Sequence, residues 1–124
     1  MIYEDDIVYF QVDGDILYSK YLREKTITRE IAEFTVSKRL ELMNGKIHKT
    51  AIEFTGKVSF THDAIKVLSS KGRLNLSAAA LIFSNNQSRI LAKFIIQTFY
   101  RNSDFPIKIF KERGDALNWL NVIK

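Results

Sequence analysis

An almost continuously apolar stretch, Leu-Ser-Ala-Ala-Ala-Leu-Ile-Phe-Ser at residues 76–84, limits the possible folds more than any other feature. A strand with one face in water alternates apolar and polar residues, whereas a strand covered on both faces by helices is apolar throughout. Segments with helical periodicity precede and follow this stretch. The sequence therefore predicts an α/β fold in which this strand lies inside a largely parallel sheet.

The N-terminal residues predict a β-hairpin. Two β-rich runs, residues 7–12 and 15–22, are joined at Asp13-Gly14. Asp-Gly between alternating apolar residues is a strong hairpin signal, because both residue types tolerate the positive φ that a tight turn requires. We therefore expect the first two strands to be antiparallel neighbours.

After the hairpin, helical and strand patterns alternate. Helices are predicted within residues 26–46, 63–72, 85–102 and 111–124, and strands within residues 46–54, 76–84 and 107–110. In the first helix, Thr28 is suited to the N-cap and Asn44-Gly45 to the C-terminal stop. The order β-β-α-β-α-β-α-β-α predicts a single α/β domain over residues 1–124, with a mixed β-sheet, an N-terminal hairpin and four helices.

Composition excludes several classes of protein. Hydrophobic residues make up 46% and charged residues 27% of the 124 residues, which is ordinary for a globular protein and too apolar for a disordered one. The absence of cysteine excludes disulfides and cysteine-ligated metals. The acidic N-terminus does not resemble a signal peptide, and the longest apolar stretches are far shorter than the roughly 20 residues that span a bilayer. We therefore expect a cytoplasmic protein.

Positive charge is concentrated in the second half of the chain. Residues 1–62 carry a net charge of −1 and residues 63–124 a net charge of +6. Such a half can attract phosphate, nucleic acid or an acidic partner. Its Lys and Arg are scattered singly, however, and no basic stripe is interleaved with aromatic residues. We therefore favour an ordinary solvated surface over nucleic-acid binding.

The loop that enters the second predicted helix holds the candidate interaction residues Thr61, His62, Asp63 and Lys66. Thr61 is suited to the N-cap, and Asp63 in the first turn is favoured by the helix dipole. The first three are consecutive, so their side chains diverge and do not form a catalytic relay. His48 is too distant in sequence to give a familiar metal-ligand spacing with His62. Capping explains this loop without any activity, and a role in binding is the alternative.

The order of elements is that of STAS domains, the fold of the sporulation anti-anti-sigma factors, and the loop resembles their signature. In that signature a strand ends Asp-Leu-Ser-Gly-Val, and Asp-Ser-Ser-Gly-Leu opens a helix a few residues later. Laid on this chain without gaps, the two parts fall on residues 53–57 and 61–65. The hairpin at Asp13-Gly14, the helix Ser-Arg-Ile-Leu-Ala-Lys-Phe and the C-terminal Ala-Leu-Asn-Trp-Leu also resemble an uncharacterised bacterial STAS-like family.

The resemblance implies a protein-interaction module without the usual switch. In switchable STAS proteins the second serine of the pair accepts a phosphate, and its counterpart here is Asp63; the preceding serine is replaced by His62. The resemblance therefore makes serine phosphorylation by a kinase doubtful at this loop. Asp63 as a fixed substitute for phosphoserine is one hypothesis, although its single charge imitates a phosphate poorly.

A second candidate site precedes the third helix. Asn86, Ser88 and Arg89 lie where free N–H groups at a helix N-terminus can hold an anion. The segment lacks the glycines of a nucleotide-binding loop, so helix capping is the simpler interpretation. No motif in the chain requires a cofactor, a metal or a catalytic residue, and we expect a non-enzymatic protein.

The sequence thus predicts a regulatory STAS-like module that binds another protein or forms a homodimer. The alternative is a small protein of CRAL-TRIO-like appearance that binds an apolar, lipid-like ligand. In that case the aromatic hairpin and the helix at residues 90–100 would frame the pocket.

Overall fold

A computed structural model describes residues 1–22, 25–54, 58–83 and 88–123. Its strands are β1 (Ile2–Glu4), β2 (Val8–Asp13), β3 (Ile16–Tyr21), β4 (Lys25–Ile27), β5 (His48–Phe54), β6 (Val58–Phe60), β7 (Leu76–Phe83) and β8 (Ile107–Phe110). Its α-helices are α1 (Arg29–Leu42), α2 (His62–Ser69), α3 (Ser88–Thr98) and α4 (Arg113–Val122), and a short 3-10 helix spans Lys71–Arg73.

The main sheet has six strands in the order β1-β2-β3-β5-β7-β8. The first three strands are antiparallel, and β3, β5, β7 and β8 are parallel. The predicted hairpin is confirmed, because β2 pairs with β3 and Asp13 lies opposite Ile16. This register places Gly14 and Asp15 in the turn, one residue later than Asp13-Gly14, and Gly14 has a φ of 62°. The predicted mixed α/β sheet with four helices is therefore correct for the described residues.

Three short strands were not predicted. β1 forms the edge of the main sheet beside β2, while β4 and β6 form a separate parallel pair that joins Lys25–Ile27 to Val58–Phe60. Each has three residues, which is too few for an alternating pattern to emerge in the sequence. The small sheet matters for the candidate loop, because β4 leads into α1 and β6 leads into α2.

Strand β7 lies between two apolar layers, as its composition predicts. Ala79, Leu81 and Phe83 pack in one cluster with residues of α1, α2 and α3, such as Ala32, Ala64 and Ile95. Ala78, Ala80 and Ile82 pack on the opposite face with Ala116 and Leu120 of α4. The continuous apolar run thus reflects burial on both faces of the sheet.

Helix α1 begins and ends at the predicted residues. The Thr28 hydroxyl accepts a hydrogen bond from the Ile31 N–H at 3.4 Å, and Asn44 and Gly45 both have positive φ after the last turn. The spacing of Ile27, Ile31 and Phe34 predicts one apolar face for this helix, and this is wrong for Phe34, which is 42% exposed and packs against Tyr3. Residues on the inner side of the helix include Thr35 and Arg39 instead.

Candidate functional site

Thr61 connects the small sheet to helix α2. Its hydroxyl accepts a hydrogen bond from the Ala64 N–H at 3.2 Å, and its own N–H donates to the Ile27 carbonyl at 3.0 Å. The first contact is the predicted N-cap, and the second ties the start of α2 to strand β4. The Thr61 hydroxyl is therefore engaged in holding the loop in place.

Asp63 and Lys66 line a surface groove between α1 and α2, with a volume of about 310 Å³. The other residues that line this α1–α2 groove are Arg29, Glu33, Val67, Ser70 and Lys71. Thr61 and His62 are not among them. The structure therefore brings together Asp63 and Lys66, two of the four predicted interaction residues, in one concave surface.

The α1–α2 groove carries charges of both signs. Arg29 and Glu33 form an exposed ion pair with 2.9 Å between Nε and Oε1. Its hydrogen bond with Arg29 lowers the pKa of Glu33, and the same contact raises the pKa of Arg29. Exposed pairs of this kind contribute little to stability. The Arg29–Glu33 pair is therefore not needed to explain the stability of the fold.

His62 lies at the start of helix α2. Its side chain is exposed on the first turn of α2, and the side chain of Asp63 next to it is exposed as well. Among the described residues, no three His, Asp or Glu side chains are close enough to hold a metal ion. The three residues 55–57, on which most of the first part of the STAS signature falls, lie outside the described part of the chain.

The predicted anion site before the third helix is described only in part. Asn86 lies outside the described residues, and Ser88 and Arg89 are the first two residues of α3, with only their backbone described. The anion-binding hypothesis for these three residues therefore stays a prediction.

Sequence reasoning missed a buried pair formed by Arg39 and His48. Arg39 is 7% exposed and His48 is 1% exposed, and Arg39 Nη1 lies 2.9 Å from His48 Nε2. A guanidinium only donates hydrogen bonds, so Nε2 must accept; Nδ1 then carries the proton and donates to the Lys46 carbonyl at 2.8 Å. His48 is therefore neutral, and burial lowers its pKa below the ordinary value.

Arg39 also holds the segment that follows α2. Its Nη1 donates to the Leu74 carbonyl at 2.8 Å, and its Nη2 donates to the Gly72 carbonyl at 3.3 Å. Both carbonyls belong to residues at or just after the 3-10 helix. A buried arginine thus links α1, β5 and the approach to β7. The sequence signal for this burial is weak, because it consists only of the spacing of Arg39 from Thr35 and Ala32 on one helical face.

A small cavity of about 60 Å³ lies between the sheet and the three helices on that side. Arg39, Thr35, Tyr21 and Tyr100 contribute to its walls, together with apolar residues such as Ile95. Burial raises the pKa of Tyr100 to about 12 and also raises the pKa of Tyr21, so both phenols are neutral at pH 7. Pockets for drug-sized ligands measure about 300–1,000 Å³, so a lipid-like chain does not fit in this cavity as it stands.

The aromatic hairpin distributes its side chains between both faces of the sheet. Phe10 is buried on the side of α1, while Tyr9 is half-buried on the other face, 6.1 Å from the Tyr18 ring. The Tyr18 hydroxyl donates to Glu53 Oε1 at 2.7 Å, and burial followed by this hydrogen bond raises the pKa of Tyr18. The guanidinium of Arg113 lies 5.0 Å from the same ring. Tyr18 is therefore covered by residues of this chain.

Two solved structures of other proteins are similar to this chain. A crystal structure of an uncharacterized protein of the DUF3478 family with a SpoIIAA-like fold, from Shewanella loihica PV-4, matches with a TM-score of 0.62 at 18% identity, over 91% of each chain. A protein of unknown function from Arthrobacter sp. FB24 matches at 25% identity, over 92% of this chain and 99% of that one, with a TM-score of 0.36. No protein with a curated description matches.

A family model also matches this chain, and its described helices can be compared with membrane-spanning ones. In the described residues, no helix is both long and apolar enough to cross a membrane. The family described as Domain of unknown function (DUF7793) matches residues 3–124, which is nearly the whole chain. The predicted STAS-like fold is thus confirmed by the SpoIIAA-like neighbour, and the chain belongs to the DUF7793 family.

Proposed function

We propose that this chain is a non-enzymatic regulatory module that binds another protein, or a second copy of itself, through the α1–α2 groove. The observation that carries the proposal is the position of Asp63 and Lys66 in that groove, beside the Arg29–Glu33 pair. Asp63 stands where switchable STAS proteins have their phosphate-accepting serine, so the groove carries a constant negative charge at that point. We expect the module to act in the cytoplasm.

A binding role agrees with the chemistry of the surrounding residues. The Thr61 hydroxyl caps α2, and the exposed His62 and Asp63 follow it in sequence, so these three do not converge on a substrate. The groove is open, charged and formed by two helices, which suits the surface of a protein partner better than a small substrate. The lipid-like alternative has less support, because the cavity beside Arg39 measures only about 60 Å³.

Charge reversal in the groove tests the proposal. Tagged wild-type protein and the variants Asp63→Lys and Lys66→Glu are used to capture partners from a lysate of the source organism. The control is Lys111→Glu, a charge reversal at an exposed residue between β8 and α4. We expect the groove variants to lose a specific partner that the wild type and Lys111→Glu retain. Retention of every specific partner by both groove variants would overturn the proposal.

Two further measurements define the partner and the role of Asp63. Sedimentation of wild-type and Lys66→Glu protein distinguishes a second copy from a different protein, because a homodimer through the groove weakens when the charge is reversed. The folded variant Asp63→Ser then removes the constant negative charge with little change in size. Partner binding equal to wild type in Asp63→Ser would show that Asp63 does not act as a substitute for phosphoserine.

A further inference from the structure

The Arg39 guanidinium is a buried positive charge with neutral partners. Its hydrogen bonds go to the His48 ring and to the carbonyls of Leu74 and Gly72. Among the described residues, no carboxylate lies within 4.0 Å of it. Buried cations are ordinarily paired with an anion, because hydrogen bonds alone do not neutralise the charge. Within the described part of the chain, this interior positive charge therefore has no anionic partner.

The same arginine contributes to the wall of the cavity of about 60 Å³. A group the size of a water molecule needs about 10–15 Å³ of cavity volume. The cavity therefore has room for roughly four to six non-hydrogen atoms. Most of the residues that line the cavity are apolar, including Ile95 and Phe99. Thr35 and Tyr100, which each carry a hydroxyl group, also line it. The site thus combines a cation, the neutral phenol of Tyr100 and an apolar remainder, while the Thr35 hydroxyl donates its hydrogen bond to the Ala32 carbonyl at 3.0 Å.

We propose that this cavity binds a small carboxylate anion of about the size of acetate. The carboxylate would pair with Arg39, since a guanidinium matches the two oxygens of a carboxylate. The short alkyl part would contact the apolar wall near Ile95 and Phe99. A single negative charge balances the single positive one, whereas a doubly charged phosphate would leave one charge buried and unpaired. This proposal concerns the interior and does not depend on the role of the α1–α2 groove.

The rival explanation is that Arg39 is purely structural and that the cavity contains water. The contacts of Arg39 with Gly72 and Leu74 would then account fully for its burial, because they satisfy carbonyls of the 3-10 segment. The two explanations differ in one respect: only an anion site responds in a saturable manner to an added carboxylate.

The test uses nuclear magnetic resonance on the full chain, with sodium acetate as the probe and sodium chloride at equal ionic strength as the comparison. We expect the signals of Ile95 and Phe99 to shift with acetate and to saturate, and the acetate methyl protons to show contacts with these two side chains. Arg39→Met should weaken acetate binding by about tenfold or more, since it removes a charged partner. Lys111→Met, which removes an exposed cation between β8 and α4, should leave acetate binding unchanged.

A second variant keeps the test decisive if Arg39→Met does not fold. Ser19 is a small residue in the cavity wall, and Ser19→Leu fills space while it keeps the arginine. We expect Ser19→Leu to abolish the saturable acetate response. The proposal is overturned if acetate causes no saturable shift at Ile95 and Phe99, if chloride produces the same shifts, or if folded Arg39→Met or Ser19→Leu protein binds acetate as the wild type does.

Discussion

The ammonium group of Lys49 donates a hydrogen bond to the carbonyl of Leu120 at 2.7 Å, although 71 residues separate them in the chain. The same group donates to the Ile123 carbonyl at 2.8 Å. Helix α4 ends at Val122, so a lysine from strand β5 satisfies carbonyls at the C-terminus of a helix packed on the sheet. The positive charge is also favourable at the negative end of the helix dipole.

Lys49→Met should therefore destabilise the protein by about 1.5–3 kcal/mol, the usual contribution of hydrogen bonds to a charged group. The side chain of Lys49 is 12% exposed, so water does not readily replace the lost donor. The free energy of unfolding from urea denaturation measures the loss. Lys46→Met is the matched control, since Lys46 is exposed, and it should change this free energy by less than about 0.5 kcal/mol. Equal effects of the two variants would contradict the role assigned to Lys49.

Stability should fall in mild acid because of His48. Burial lowers its pKa in the folded protein from the ordinary value of 6.5, so the unfolded chain takes up the proton first as the pH decreases. The contribution of neutral His48 is complete above about pH 6.5 and is lost as the pH falls toward its lowered folded-state pKa. Protonation would also remove the acceptor that Arg39 uses.

The measurement is the free energy of unfolding as a function of pH in wild-type, His48→Gln and His62→Gln protein. We expect His48→Gln to flatten the acid-side decrease just below pH 6.5, the ordinary value for His48. His62→Gln should follow the wild-type curve, because His62 is exposed on α2. A His48→Gln protein with the wild-type pH dependence would contradict this assignment.

Thr61→Ala should cost about 1 kcal/mol, because it removes the hydroxyl that caps α2. Thr61→Ser keeps that hydroxyl and should retain most of the stability. Chemical denaturation of the three proteins checks the difference. If Thr61→Ala and Thr61→Ser are equally stable, the capping hydrogen bond does not contribute as described.

Leu81→Ala should cost about 2–5 kcal/mol, because Leu81 is fully buried in β7 between the sheet and the helices. Leu74→Ala is the matched control at a leucine that is 50% exposed, and its cost should be much smaller. Denaturant midpoints of both variants measure the contrast. A similar loss in both would mean that the inner face of β7 is less tightly packed than the structure indicates.

The larger elements could be predicted because their periodicity is long enough to read. The eight residues of β7 and the fourteen of α1 each carry a pattern that reflects burial on particular faces. The Thr61 cap was predictable because capping is local: the hydroxyl and the N–H that it accepts from lie only three positions apart. In contrast, strands β4 and β6 are held by pairing with each other across more than thirty residues, which no local pattern encodes.

The interior polar pair shows why part of a site escapes sequence reasoning. Arg39 occupies an inward position that ordinarily carries an apolar side chain, and it is tolerated there because carbonyls of Gly72 and Leu74 meet it from 33 and 35 residues away. From the sequence, His48 was considered only as a residue that could bind a metal together with His62. Its actual partner, nine residues earlier, comes from a different element and becomes a neighbour only when α1 packs on the sheet.

The position of α4 after all eight described strands in chain order has a consequence for synthesis on the ribosome. Residues 113–122 cover the face of the sheet formed by Ile16, Ala51, Ala80 and Ile82, and they are translated after all of these strands. A nascent chain can therefore assemble the other apolar layer first while this face still lacks its helix. Until α4 emerges and Lys49 binds its last carbonyls, the growing polypeptide exposes an apolar surface of the kind that chaperones bind.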